Sequence, residues 1–142
     1  MRLLLDTHVL LWALIAPKRL GKDARAAIES PDNDVLFSAA SIWEIAIKSA
    51  LKRTDFCVAP DAIVAAAIES GFTELPVRSA AAIQVAKLPA HHRDPFDRLL
   101  IAQAITEPAT LFTVDPQLNA YSELVRHILQ SRTATDRAIR AT

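Results

Sequence analysis

Short apolar runs recur along the chain within segments of four or five residues, and most of them stop at a polar residue or a proline. Runs of this length, bounded by turn-forming residues, are typical of β-strands that are buried on both faces. The pattern predicts five strands: Arg2–Leu5, Asp34–Ser38, Thr73–Val77, Thr110–Val114 and Val125–Leu129. The third contains Pro76, which has no N–H to donate to a neighbour, so we expect this strand at an edge of the sheet.

The segments between these strands carry apolar residues at three- and four-residue spacing, which is the period of a helix with one buried face. Six helices are predicted: Thr7–Ile15, Lys22–Glu29, Ser41–Lys52, Asp61–Glu69, Ser79–Lys87 and Pro95–Thr106. Gly71 follows the fourth helix, where a left-handed residue commonly ends one. Strands that alternate with helices predict an α/β fold with a mainly parallel sheet and helices on both of its faces.

Composition excludes several classes of protein. The 142 residues, 51% hydrophobic and 23% charged, are typical of one globular domain. With two glycines and neither of the common glycine-rich phosphate-loop patterns, the chain lacks a nucleotide-binding loop of those types. The single cysteine, Cys57, excludes a disulfide framework and a multi-cysteine zinc site, and we expect it to be a small buried residue.

Targeting and charge add two expectations. Asp6 and His8 interrupt the apolar N-terminal stretch, and no run of roughly 18 apolar residues occurs, so we expect a cytoplasmic protein with no membrane span. Sixteen basic residues balance sixteen acidic ones, so any positive charge that attracts nucleic acid must be local or come from a metal. Residues 131–142 contain three arginines and few apolar residues, which favours a flexible tail, with a nucleic-acid-binding arm as the alternative.

Four acidic residues share one position relative to the predicted elements. Asp6 and Asp115 follow strands, and Glu44 and Asp97 fall in the first turns of helices. In a parallel sheet these positions meet at the edge formed by the carboxyl ends of the strands, where ligands bind. Crowded carboxylates need a cation or raised pKa values, and oxygen ligands without His or Cys suit Mg²⁺ or Mn²⁺.

Each of these acids also has a purely structural interpretation. Asp6, Asp94 and Asp115 all stand where a helix N-cap is expected, the latter two directly before a proline. Ser41 and Glu44 match a capping box, and Glu44 is also spaced to pair with Lys48. The apolar neighbours of Asp6 and Glu44 favour a functional role, because a charge among apolar residues needs a reason.

Four segments, in order, resemble one known family. They are LLLDTH at 3–8, FSAASIWEIA at 37–46, HRDPFDRLLIA at 92–102 and LFTVD at 111–115. Together they are similar to PIN-domain ribonucleases of the VapC type, the toxins of bacterial toxin–antitoxin pairs. The resemblance extends from about Arg2 to about Leu129, so we expect a nuclease domain over residues 1–130 and a tail after it.

The resemblance implies a three-layer α/β/α sandwich whose acids hold Mg²⁺ or Mn²⁺ and cut RNA. Asp6 and Asp97 match the metal ligands, and Glu44 and Asp115 match the further acids of the site. The hydroxyl residues near them in the family correspond to Thr7, Ser41 and Thr113. Asp94 is a rival for the third acid, but a residue directly before proline suits a cap, so Asp97 is preferred.

The same resemblance implies a cognate antitoxin, an RNA substrate and a homodimer. An interface is also favoured by the Asp61–Glu69 helix, which is apolar around much of its circumference. Arg93 and Arg98 are candidate phosphate contacts, or else surface residues that pair with Asp94. His91 and His92 are candidates for contacting substrate, although a loop-surface role explains them as well.

Two other functional classes compete with the nuclease. A catalytically inactive PIN-fold module that binds antitoxin or RNA is disfavoured because all four acids are present. A phosphate-accepting signalling domain would need an acid pair after the first strand and a lysine at the end of a late strand, and the chain has neither.

Overall fold

The computed structural model describes residues 1–51, 57–89, 94–128 and 130, which alternate strands and helices. The elements are β1 (Arg2–Leu5), α1 (Thr7–Ile15), α2 (Lys22–Glu29), β2 (Asp34–Ser38), α3 (Ala39–Ala50), α4 (Pro60–Glu69), β3 (Thr73–Leu75), α5 (Ser79–Val85), α6 (Pro95–Thr106), β4 (Thr110–Thr113) and β5 (Val125–His127). Short 3₁₀ helices, which the pattern did not predict, span Pro17–Arg19 and Pro116–Ala120.

The five strands form one parallel sheet in the order β3-β2-β1-β4-β5. The central strand β1 pairs with β2 on one side and with β4 on the other, so the chain winds outward from β1 in both directions. The loops that leave the carboxyl ends of β1 and β4 therefore diverge, and such a divergence opens a crevice in α/β proteins. β3 is an edge strand, as predicted, and it ends at Leu75, directly before Pro76.

Alternation along each strand divides the core into two layers, which confirms the three-layer α/β/α sandwich. Leu3 and Leu5 of β1 pack with Phe37 on the face that α1, α2, α3 and α4 cover. Leu4 packs with Leu100 on the opposite face, which α5 and α6 cover. All of these side chains are fully buried, and each contributes about 1.5–3 kcal/mol to the hydrophobic stabilisation of the sheet.

The start of α3 differs from the prediction in a way that matters for the site. The helix begins at Ala39 rather than Ser41, because the Ser38 hydroxyl caps it and accepts a hydrogen bond from the Ala40 N–H at 3.0 Å. The predicted capping box of Ser41 and Glu44 is therefore wrong. Both residues lie inside the helix, and their side chains point into the protein, where each is buried.

Most other boundaries follow the prediction closely. Gly71 has a φ of 86° after α4, and the Phe72 N–H donates to the Ala67 carbonyl at 2.9 Å, which is the expected left-handed helix end. α4 begins at Pro60, one residue early, while β4 ends at Thr113 and α5 at Val85, slightly before their predicted ends. The described part of β5 ends at His127, and Leu129 lies outside the described residues.

Several other expectations have direct outcomes. Cys57 is exposed, so its predicted burial is wrong. His91, His92, Arg93 and the predicted tail 131–142 lie outside the described residues. Among the residues that the structure does describe, no helix has the length and apolar character needed to cross a membrane.

Candidate active site

A cleft of about 390 Å³ opens at the carboxyl ends of β1 and β4, beside the starts of α1 and α6. All four acids singled out in the sequence line it, although they come from four separate segments. The lining residues are Asp6, Thr7, His8, Glu44, Lys48, Asp94, Asp97, Val114, Asp115 and Pro116. The fold thus brings the four predicted acids to one cleft, and Asp94 and Lys48 line the same cleft.

Asp6 lies directly after β1 and is buried. Its side chain caps α1, since Oδ1 accepts a hydrogen bond from the Val9 N–H at 2.8 Å. Burial raises the pKa of Asp6 from its ordinary 3.8 to about 6, because an ionised carboxylate loses its hydration there. Hydrogen bonds from Thr113, Val9 and Val114 favour the charged form and limit the rise, while nearby Glu44 adds to it.

Thr113, at the end of β4, connects the two strand ends. Its hydroxyl hydrogen-bonds to the Asp6 carboxylate and accepts from the Asp115 N–H at 3.0 Å. The Asp115 side chain in turn accepts from the Gln117 N–H at 2.9 Å and so caps the Pro116–Ala120 helix. Asp115 therefore has the predicted capping role and lines the cleft as well.

Glu44 lies at the centre of a buried polar group on α3. Its Oε1 accepts from the Thr7 hydroxyl at 2.6 Å, and its Oε2 lies 2.5 Å from Lys48 Nζ. Thr7 Oγ1 is also 3.1 Å from Ser41 Oγ; because a hydroxyl carries one proton, which Thr7 gives to Glu44, Ser41 is the donor in this second pair. Helical spacing places Ser41, Glu44 and Lys48 on one face of α3, which explains their convergence.

The two candidates for the third acid stand at the start of α6. Asp94 caps this helix: its Oδ1 accepts from the Phe96 N–H at 2.9 Å and from the Asp97 N–H at 3.3 Å. Asp97 falls in the first turn of α6, and both residues line the cleft. Asp94 has the expected capping role, but Asp6 also caps a helix, so capping does not distinguish Asp94 from Asp97 and the preference for Asp97 stays a prediction.

The sequence predicted Arg93 and Arg98 as phosphate contacts. The Arg98 guanidinium donates to the main-chain carbonyls of Pro89 at 3.0 Å and Val85 at 3.1 Å, and it lies 3.4 Å from the Tyr121 hydroxyl. It does not line the cleft. These hydrogen bonds tie the end of α5 to α6, and a contact between Arg98 and phosphate stays a prediction. Arg93 lies outside the described residues.

Lys48 lines the cleft, and the sequence did not single it out as a site residue. The sequence suggested only a stabilising pair with Glu44, of the kind common on helix surfaces. One feature of the sequence could have indicated its position. Glu44 is flanked by apolar residues on both sides, so the lysine four residues later on the same helix face is also expected to be partly buried.

The donor chemistry of the cleft suits a hard divalent cation, since carboxylates dominate its lining. Among the described residues, however, no three His, Cys, Asp or Glu side chains are arranged as a ready-made metal site. Mg²⁺ is usually held by one or two carboxylates together with water and substrate phosphate, rather than by a cage of protein ligands. The cleft fits a site of that open kind.

Comparisons with known proteins identify the family of the chain. The model of the PIN domain family matches residues 3–124. Ribonuclease VapC22 of Mycobacterium tuberculosis is 32% identical over 118 residues, which cover 83% of this chain and 90% of that relative. A chain in the crystal structure of VapBC2 from Rickettsia felis, bound to a DNA fragment from their promoter, superposes with a TM-score of 0.65; at 14% identity, over 90% of this chain and 99% of that one, it shows a shared fold. The chain therefore belongs to the PIN domain family and is a member of its VapC type.

Proposed function

We propose that this protein is the toxin of a toxin–antitoxin pair and that it is an endoribonuclease dependent on Mg²⁺ or Mn²⁺. The observation that carries the proposal is the convergence of Asp6, Glu44, Asp97 and Asp115 on one cleft of a PIN domain. The similarity to a protein named Ribonuclease VapC22 supports RNA as the substrate. The RNA substrate makes the cytoplasm the proposed place of action.

The proposed metal ligands are Asp6 and Asp97, with Glu44 and Asp115 as the further acids of the site. A bound divalent ion supplies a Lewis acid for a phosphoryl oxygen and lowers the pKa of a bound water. Asp6 suits this task because its buried charge is costly by itself, so that a cation beside it is favoured. The expected products carry a 5′-phosphate and a 3′-hydroxyl.

The hydroxyl residues have supporting roles in this proposal. Thr113 hydrogen-bonds to the Asp6 carboxylate, and Thr7 donates a hydrogen bond to the Glu44 carboxylate. Ser41 completes the second pair by donating to Thr7. These contacts orient the acids before substrate binds, and such preorganisation lowers the cost of reaching the reactive arrangement.

An exposed apolar stripe supports the proposal of an antitoxin partner. Trp43 and Ile47 of α3 and Leu51, the residue that follows the helix, have four-residue spacing and are 60%, 38% and 69% exposed. Phe96, beside the acids of α6, packs edge-on against Trp43 with the ring centroids 5.2 Å apart. A stripe of this kind fits an apolar segment of another chain, and its position next to Glu44 lets that segment cover the cleft.

The proposed homodimer would use a different surface. On α4, Ile63 and Ala67 are buried within the domain, while Ile68 is exposed and is available to a second copy. Measuring the mass of the protein in solution, for wild type and for Ile68→Lys, tests this part of the proposal, which predicts a dimer that the substitution converts to a monomer.

The deciding experiment is cleavage of a pool of structured RNAs by purified protein in Mg²⁺. We expect cleavage by wild type, and its loss both on chelation and in Asp6→Asn and Asp97→Asn. Asp61→Asn is the matched control, because Asp61 is an exposed first-turn aspartate on α4 outside the cleft. A wild type that binds RNA without cutting it would favour the inactive module, and an Asp6→Asn variant that cuts at the wild-type rate would refute the site.

A further inference from the structure

The charge of the cleft is strongly unbalanced. Five carboxylates line it, from Asp6, Glu44, Asp94, Asp97 and Asp115. Among the described residues of the lining, Lys48 is the one lysine or arginine. An RNA phosphate that enters this cleft meets repulsion unless cations face it, so the position of Lys48 bears directly on substrate binding.

The pair formed by Lys48 and Glu44 differs from an ordinary helix-surface ion pair. The two side chains are 20% and 5% exposed, and their charged atoms lie 2.5 Å apart. On α2, Arg25 and Glu29 have the same four-residue spacing, but their side chains are 43% and 60% exposed. A partly buried pair costs desolvation that a surface pair avoids, so stability alone is a weak reason for Lys48 to lie there.

The hydrogen bonds of Glu44 indicate how the pair works. Thr7 occupies one carboxylate oxygen and Lys48 the other, so both oxygens are engaged within the protein. Glu44 is therefore arranged to hold these two side chains in place. An ammonium group carries three donor hydrogens, so a lysine that is bonded to a carboxylate can also contact a phosphate oxygen.

We infer that Lys48 is a substrate-binding residue that holds a non-bridging oxygen of the RNA phosphate, and that Glu44 is the positioning residue that presents its ammonium group. The inference rests on the proposed ribonuclease function and deepens it. Lysine binds phosphate as a compact point charge, and such a charge at the wall of an acidic cleft fixes where along the cleft the phosphate lies.

The test is RNA binding as a function of salt. The probe is a fluorescein-labelled pool of random single-stranded 20-nucleotide RNAs, in Mg²⁺, and binding is followed by fluorescence anisotropy. An Asp6→Asn parent keeps the RNA intact. Adding Lys48→Met should weaken binding about tenfold at low salt and reduce the slope of log K against log salt by about 0.7, the loss of one phosphate contact on a single strand. Lys48→Arg should retain most of the slope.

Two controls separate a phosphate contact from other effects. Lys18→Met removes an exposed lysine of the Pro17–Arg19 helix outside the cleft, and it should leave the slope unchanged. Glu44→Gln combined with Lys48→Met has the net charge of the parent cleft, and it should still lack the contact. Thermal unfolding of each variant identifies any that fail to fold. If Lys48→Met is one of them, Lys48→Arg is introduced into the otherwise wild-type enzyme and its cleavage kinetics decide the matter. In that variant KM should rise more than kcat falls.

The outcomes distinguish this inference from the proposal beneath it. If the charge-balanced double variant binds with the parent's affinity and slope, or if Lys48→Met changes neither, Lys48 makes no phosphate contact and the inference is wrong while ribonuclease activity stands. If neither wild type nor the parent binds the RNA pool, and wild type cuts none, the ribonuclease proposal itself fails, and this inference fails with it.

Discussion

Replacing Asp6 with Asn tests the energetic cost of burying this carboxyl group. Asn is nearly isosteric and caps helices as well as Asp does, so the cap of α1 should persist. What the substitution removes is the ability to ionise. The two proteins should therefore differ in how their stability depends on pH, in addition to any constant difference caused by altered hydrogen bonds.

The magnitude follows from the pKa of Asp6, which burial raises from 3.8 to about 6. Between these values the folded state holds a proton that the unfolded state has released, so the stability contributed by Asp6 falls as pH rises. Once the pH is well above the pKa of Asp6 in the folded protein, the lost stability amounts to about 3 kcal/mol. About 2 kcal/mol of it develops between pH 4.5 and pH 8, because the unfolded carboxyl is already mostly ionised at pH 4.5.

The assay is urea unfolding of both proteins at pH 4.5 and pH 8, with a chelator present. The free energy of unfolding of Asp6→Asn, minus that of wild type, should be about 2 kcal/mol larger at pH 8 than at pH 4.5. Added Mg²⁺ should then stabilise wild type by about 1.4 kcal/mol at ten times its Kd, and stabilise the variant less. Parallel pH profiles of the two proteins would refute the reasoning, since they would mean that the Asp6 carboxyl ionises equally easily in the folded and unfolded chains.

Four further substitutions test local features of the structure by thermal or urea unfolding. Asp94→Ala should lose about 1 kcal/mol with the cap of α6, and Asp94→Asn should recover it. Gly71→Ala should cost about 1 kcal/mol through its positive φ alone, since a methyl group there meets no atom within 4 Å; a neutral result would contradict the left-handed geometry. Ser38→Ala removes a cap and leaves the buried Gln103 Oε1 without its 2.5 Å partner, so we expect a loss of about 2–4 kcal/mol, which Gln103→Leu in the same chain should partly restore. Arg98→Met should destabilise the protein by about 1–3 kcal/mol and leave the salt slope of RNA binding unchanged. A reduced slope would mean that Arg98 contacts an RNA phosphate.

Much of the fold could be predicted because its determinants are local. Strand β1 contains three consecutive leucines and stops before Asp6, and α6 begins at Pro95, directly after the capping Asp94. Gly71 ends α4 because few other residues adopt a positive φ at low cost. The start of α3 was predicted wrongly because a neighbouring residue has the capping role. Ser38 caps α3, and the Ser41 hydroxyl hydrogen-bonds to Thr7 instead.

The residue pattern was sufficient to predict the order of the elements, a sheet covered on both faces and the acids that line the candidate site. It could not decide whether those acids act only as caps, because a capping side chain and a cleft side chain have the same local pattern. Only the three-dimensional fold shows that Asp6, Glu44, Asp97 and Asp115 line one cleft, and their chemical roles stay a prediction. It also directed Arg98 to main-chain carbonyls and Lys48 into the cleft, because the direction of a long side chain depends on charges and carbonyls that distant parts of the chain bring within its reach.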